Sequence, residues 1–150
     1  MPMAETPVAR PAQILIVEDN PADARLVREV MRDSKILNVI HWVPDGVEAM
    51  AFLRRQGKYP DAPRPNLMFL DLNMPRKDGR EVLAEVKADP ELRRIPVVVM
   101  TSSQAEEDIA RAYDHHANCY VRKPIDFEQF HSVVKTLENF WFSTVELPTR

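Results

Sequence analysis

Five short apolar runs, spaced along the chain with helical stretches between them, limit this sequence to one class of fold. The runs are Ile14 to Val17, Val39 to Val43, Leu67 to Leu70, Val97 to Met100 and Cys119 to Val121, all strand-sized and rich in branched residues. Between them, apolar residues recur at helical spacing, as in Leu26, Val27, Val30 and Met31, then Ala105, Ile109, Ala112 and Tyr113. Strand and helix alternate five times. Strands that lack polar alternation are buried on both faces, and in a strand–helix repeat this predicts a parallel sheet with helices on each side, a doubly wound α/β domain.

Punctuation along the chain agrees with the pattern. Pro21 stands where a first helical residue needs no N–H, and Ser103 with Glu106 forms a capping box that starts the fourth helical stretch near Gln104. The Pro-rich stretch Gly57 to Asn66 reads as an extended loop before the third strand. At 150 residues the chain is one domain, with its body over 12–144 and flexible tails at 1–11 and 145–150.

Composition removes several function classes. With 20 basic and 23 acidic residues spread along the chain and a net charge of -3, no basic stripe can track nucleic acid. The lone Cys119 excludes an internal disulfide, Met1 to Pro11 lacks a signal peptide's apolar stretch, and no apolar run approaches the ~20 residues that span a bilayer. A cytoplasmic protein with no membrane partner is expected.

Ligands of open α/β sheets bind at the carboxyl ends of the strands, so the residues after each run carry the chemistry. Here they are Glu18 and Asp19 after the first strand, Asp71 after the third, Thr101 and Ser102 after the fourth, and Lys123 after the fifth. Crowded carboxylates resist ionising unless a cation offsets them. Mg2+ matches the inventory, with Asp19 and Asp71 as direct ligands and Glu18 through water. Asp71 can then attack a phosphoryl group in line to give an aspartyl phosphate, while Lys123 and Thr101 meet the phosphoryl oxygens.

Each residue also has a bland reading. Asp19 can cap the first helix, Asp71 can open a turn before Pro75, and Lys123 can be a solvated charge. Taken singly these are even choices. All of them at strand ends in one repeat register favour the site.

Together, Glu18-Asp19-Asn20, Asp71-Leu72-Asn73-Met74-Pro75 with Gly79, Met100-Thr101-Ser102 and Tyr120-Val121-Arg122-Lys123-Pro124 resemble the response-regulator receiver family over about residues 13 to 140. The resemblance implies a flavodoxin-like receiver fold, a five-stranded sheet in the order 2-1-3-4-5 flanked by five helices. It implies Asp71 as phosphoacceptor, metal binding (Mg2+ or Mn2+) by Glu18, Asp19, Asp71 and the backbone carbonyl of Asn73, and catalysis aided by Lys123 and Thr101. Thr101 and Tyr120 match the switch positions, where one side chain moves into space the other vacates and repacks the face of the fourth helix, fifth strand and fifth helix. Such a protein takes its phosphoryl group from a histidine kinase and is no enzyme beyond its own phosphorylation and dephosphorylation. The loop from Gly57, the run Arg76 to Leu83 and the ending Asn139 to Thr144 look like the stand-alone regulators of bacterial and cyanobacterial phytochrome kinases. That likeness implies a bacteriophytochrome partner. The chain's end at Arg150 implies no DNA-binding output domain.

In the fifth helical stretch, Phe127, Phe130, Val134, Leu137 and Trp141 form one face, while Val133, Phe140 and Phe142 fall away from it. This surplus of apolar surface points to a homodimer through the fourth helix, fifth strand and fifth helix. His115 and His116 diverge around a helix and cannot chelate together; Cys119, His41 and Trp42 read as plain strand residues. Two other functions compete: an aspartyl-phosphate-forming phosphatase, opposed by Asn73 where a second acid is needed, and a flavodoxin-like binding module, opposed by an acidic first turn without glycine.

Overall fold

In the computed structural model, which describes residues 11–74, 76–102, 119–123 and 126–144, consecutive side chains of the central strands point into two separate cores. The strands are β1 (Ala12–Val17), β2 (Asn38–Val43), β3 (Leu67–Asp71), β4 (Val97–Thr101) and β5 (Cys119–Arg122). All pair in parallel in the order β2-β1-β3-β4-β5. The helices are α1 (Pro21–Arg32), α2 (Gly46–Leu53), α3 (Gly79–Ala88) and a C-terminal helix (Phe127–Thr144). The expected fourth helical stretch near Gln104, with His115 and His116, lies outside the described residues, as do both tails beyond Pro11 and Thr144.

The doubly wound arrangement follows from the two-residue period of the strands. Leu15, Val17, Met68, Leu70, Val97 and Val99 pack with residues of α2 and α3 on one face. Ile14, Ile16, Phe69, Val98 and Met100 pack with α1 and the C-terminal helix on the other. There the Phe69 and Phe130 rings meet at 5.4 Å. Each described helix starts on a capping carboxylate or amide: Asn20 accepts from Ala22 N at 2.9 Å, Asp45 from Glu48 N at 2.9 Å, Asp78 from Glu81 N at 3.0 Å and Asp126 from Glu128 N at 2.9 Å.

Three expectations change in detail. β1, β3 and β4 are buried on both faces, but β2 leaves Val39 and Trp42 exposed, because it pairs only with β1 and forms the sheet's edge. The loop after α2 begins with turns rather than extended chain, with Tyr59 N–H bonding Gln56 O at 3.1 Å and Ala62 N–H bonding Tyr59 O at 3.2 Å. Tyr59 ties it down by donating to Glu48 Oε1 at 2.6 Å. On the C-terminal helix, Phe130 and Val134 of the expected face are buried and Phe127 is exposed and stacks over His131, Val133 packs on the core although spacing put it off that face, and the side chains of Leu137, Phe140, Trp141 and Phe142 lie outside the described residues.

Candidate phosphoacceptor and metal site

Four strand ends deliver the polar residues to one place. Glu18 leaves β1 with its N–H on Val43 O at 3.1 Å, Asp71 closes β3, Thr101 closes β4, and Lys123 leaves β5 with its N–H on Thr101 O at 2.7 Å. Parallel pairing aligns these ends because every strand runs the same way. Glu18, Asp71 and Thr101 are buried, and Asp19 is exposed at the rim. Carboxylate oxygens of Glu18, Asp19 and Asp71 lie within 4.8 Å of one another.

Asp19 does not cap α1, since Asn20 does so through Ala22 N and Asp23 N. Lys123 is no solvated charge: its ammonium meets Glu18, Asp23 at 3.0 Å and Asp71 Oδ2 at 3.1 Å. Asp71 does open a turn, its Oδ1 accepting Asn73 N–H at 3.0 Å, and this bond also orients the carboxylate. The Asn73 side chain donates to Ser102 Oγ at 2.6 Å, tying the β3–α3 loop to the end of β4. Tyr120 is half-buried against the core on the α2 and α3 side.

Gly79 explains how α3 starts so close to the phosphoacceptor. Its N–H bonds Leu72 O at 3.1 Å, and a Cβ there would meet Asp71 O, with Leu72 Cα at 2.7 Å. Only a glycine allows that approach.

The electrostatics show a site short of positive charge. Burial pushes the Glu18 carboxyl up to about 8, with Asp71 adding to the rise and Lys123 opposing it. Burial raises Asp71 too, against the Asn73 N–H, Glu18 and Lys123. Burial works against the Lys123 ammonium, yet Glu18, Asp23 and Asp71 together hold it above its usual range. Among the described residues, three carboxylates, Glu18, Asp23 and Asp71, thus pair with one ammonium, and Asp19 adds a fourth acid beside Glu18 and Asp71. Glu18 Oε2 is buried without a hydrogen-bond partner among the described residues. Such an atom is costly to leave bare, and a divalent cation with its water shell fits the donor set.

A family model for the response regulator receiver domain matches residues 14–135. The chain belongs to this family. Response regulator Rcp1 of Synechocystis sp. is 51% identical over 138 residues, covering 92% of this chain and 94% of that protein. The Mn2+-bound form of response regulator Rcp1 matches with a TM-score of 0.78 at 51% identity, over 93% of this chain and 100% of the other. The phosphorylated cyanobacterial phytochrome response regulator RcpA gives the same TM-score of 0.78, identity of 51% and coverage of 93% and 100%. The bacteriophytochrome response regulator AtBRR is 40% identical, with a TM-score of 0.76 over 88% of this chain and 96% of the other. This receiver domain therefore has the flavodoxin-like fold expected, and the proteins it resembles include regulators of phytochromes.

Two participants escaped sequence reasoning. Asp23 stands in the first turn of α1, where an acid reads as complementing the helix dipole, so nothing local announced its reach to Lys123. Trp42 donates its Nε1–H to Glu18 O at 2.7 Å across the β2–β1 register, which no local pattern announces.

Proposed function

We propose that this receiver domain accepts a phosphoryl group from a histidine kinase onto Asp71, in a reaction that needs Mg2+ or Mn2+. The observation that carries the reading is the buried, unpartnered Glu18 Oε2 beside Asp71, in a cluster that also contains Asp19. Asp19 and Asp71 would hold the cation directly, Glu18 through water, and Asn73 by its backbone carbonyl. When bound, the cation supplies positive charge to the phosphoryl oxygens.

The chain's own groups do the rest. The Asn73 N–H and the Lys123 ammonium each hold one Asp71 oxygen, which fixes the plane of the nucleophile. A carboxylate oxygen forms the bond to phosphorus as the bond from phosphorus to the kinase's imidazole nitrogen breaks, and the electron pair stays on that nitrogen. Lys123 then meets the charge on the phosphoryl oxygens, and the Thr101 hydroxyl donates to them. Movement of Thr101 towards the phosphoryl group, with Tyr120 following, repacks the face around β5. The protein is a signalling phosphoacceptor, with no separate substrate to turn over.

The finer assignments rest on the likeness to RcpA and AtBRR. The kinase is a phytochrome, the body of the domain is 12–144, and the protein works in the cytoplasm, where a kinase meets its ATP. A second copy docks on the face containing β5 and the C-terminal helix, a reading supported by Phe127, which is 43% exposed. Light scattering that finds only monomer, with and without phosphorylation, removes the dimer.

Incubation with acetyl phosphate and Mg2+ should add the mass of one phosphoryl group to the wild type and none to Asp71→Asn. EDTA should abolish the gain. An unshifted wild-type mass with hydrolysis of generic phosphomonoesters would overturn the proposal in favour of a phosphatase.

A further inference from the structure

Lys123 has three ammonium hydrogens and three carboxylates around it. Two of those acids, Glu18 and Asp71, belong to the cluster whose oxygens can converge on a cation, and Asp23 does not. A cation that draws on Glu18 and Asp71 takes up the negative charge of the same two carboxylates the ammonium uses, and the two positive charges repel at short range. Only the Asp23 contact, at 3.0 Å, escapes that competition.

The fold gives Asp23 a firm hold. It stands in the first turn of α1, and its backbone N–H is bound by the Asn20 cap at 3.3 Å. Lys123 comes from the other side, since β3 and β4 separate β5 from β1. Neighbouring strands lie about 4.8 Å apart, so the long lysine stem must lean across the sheet end to reach α1. Without a fixed acceptor on that side, a stem with four rotatable bonds would regain its freedom in solvent.

We propose that Asp23 is a positioning residue that holds the Lys123 ammonium beside Asp71 while a divalent cation occupies Glu18 and Asp71. The proposal rests on the reading of the site as a cation-dependent phosphoacceptor. The acids divide between two positive charges, since Glu18, Asp19 and Asp71 serve the cation while Asp23 keeps the lysine from being expelled by it. An Asp in a first helical turn also favours the helix dipole. That role touches stability alone and leaves the lysine unaffected.

The test uses the full chain with 15N-labelled lysine, following the ammonium resonance of Lys123, assigned by its disappearance in Lys123→Arg. In the wild type the protected signal should persist with and without Mg2+. In Asp23→Asn it should persist without Mg2+, held by Glu18 and Asp71, and disappear at saturating Mg2+. Phosphorylation of Asp23→Asn by acetyl phosphate should slow roughly tenfold, and Asp23→Glu should restore both signal and rate. Asp23→Ser, which suits a first helical turn, provides a second variant should Asn perturb the fold. A persistent Lys123 signal in Mg2+-saturated Asp23→Asn or Asp23→Ser, with a wild-type rate, overturns the role of Asp23. A wild type that gains no phosphoryl group refutes the phosphoacceptor reading instead, and the two failures are separable.

Discussion

Glu18→Gln offers the sharpest probe of the charge deficit at the site. The Glu18 carboxyl moves from 4.5 to about 8 on folding, because burial and the neighbouring Asp71 favour the neutral form over the opposition of Lys123. A folded pKa raised above the unfolded value means that the native state binds its proton more tightly. The resulting stability is full below pH 4.5 and is lost as pH rises through 8. At about 1.4 kcal/mol per pKa unit, and with the proton partly shared with Asp71, the loss is roughly 3 to 5 kcal/mol. Gln keeps the shape and neutrality of the protonated acid but cannot titrate. In EDTA, urea melts followed by tryptophan fluorescence should give the two proteins similar stability near pH 4.5. The variant should be more stable by that margin near a pH of about 9, one unit above the folded pKa. Mg2+ should return stability to the wild type at high pH, by about 2.7 kcal/mol at a hundredfold excess over its dissociation constant, and return less to Glu18→Gln. Equal pH slopes for the two proteins between pH 4.5 and 8 would refute the reasoning, since the buried acid would then carry no linked proton.

Other changes separate the site from its scaffold. Lys123→Ala should slow phosphorylation by acetyl phosphate about a hundredfold by removing a fixed positive group, as read by intact mass against time. Gly79→Ala places a Cβ against the backbone of Asp71 and Leu72, and should cost about 1 to 3 kcal/mol in urea melts while slowing phosphorylation. Phe130→Ala empties the space against Phe69 and should cost about 3 to 5 kcal/mol with little effect on Mg2+ affinity. Trp42 reports from the site through its bond to Glu18 O, so Mg2+ titration should change tryptophan emission, and Trp42→Phe should abolish that change.

The parallel sheet was legible because its signals are local. Runs such as Leu67–Leu70 and Val97–Met100 have no polar alternation, and β3 and β4 are fully buried in consequence. The same reasoning overreached at β2, whose His41 and Trp42 belong to an edge, since edge or centre depends on which strand comes alongside. Helix starts were readable at Pro21, because a cap is decided within four residues, whereas spacing puts Phe127 and Phe130 on one face and only packing decides that the first is exposed and the second buried.

By itself the sequence determined the repeat of strand and helix, and therefore which residues end strands: Glu18, Asp71, Thr101 and Lys123. Their side-chain relations were decided only by tertiary structure. The strand order sets how far Lys123 must reach, and the packing of α1 sets which acid awaits it, so Asp23 and Trp42 emerged as partners only in three dimensions. The physical reason is range. Strand and cap signals act over a few residues of chain, whereas the surroundings of Glu18 gather Trp42, Asp71 and Lys123 from strands distant in sequence.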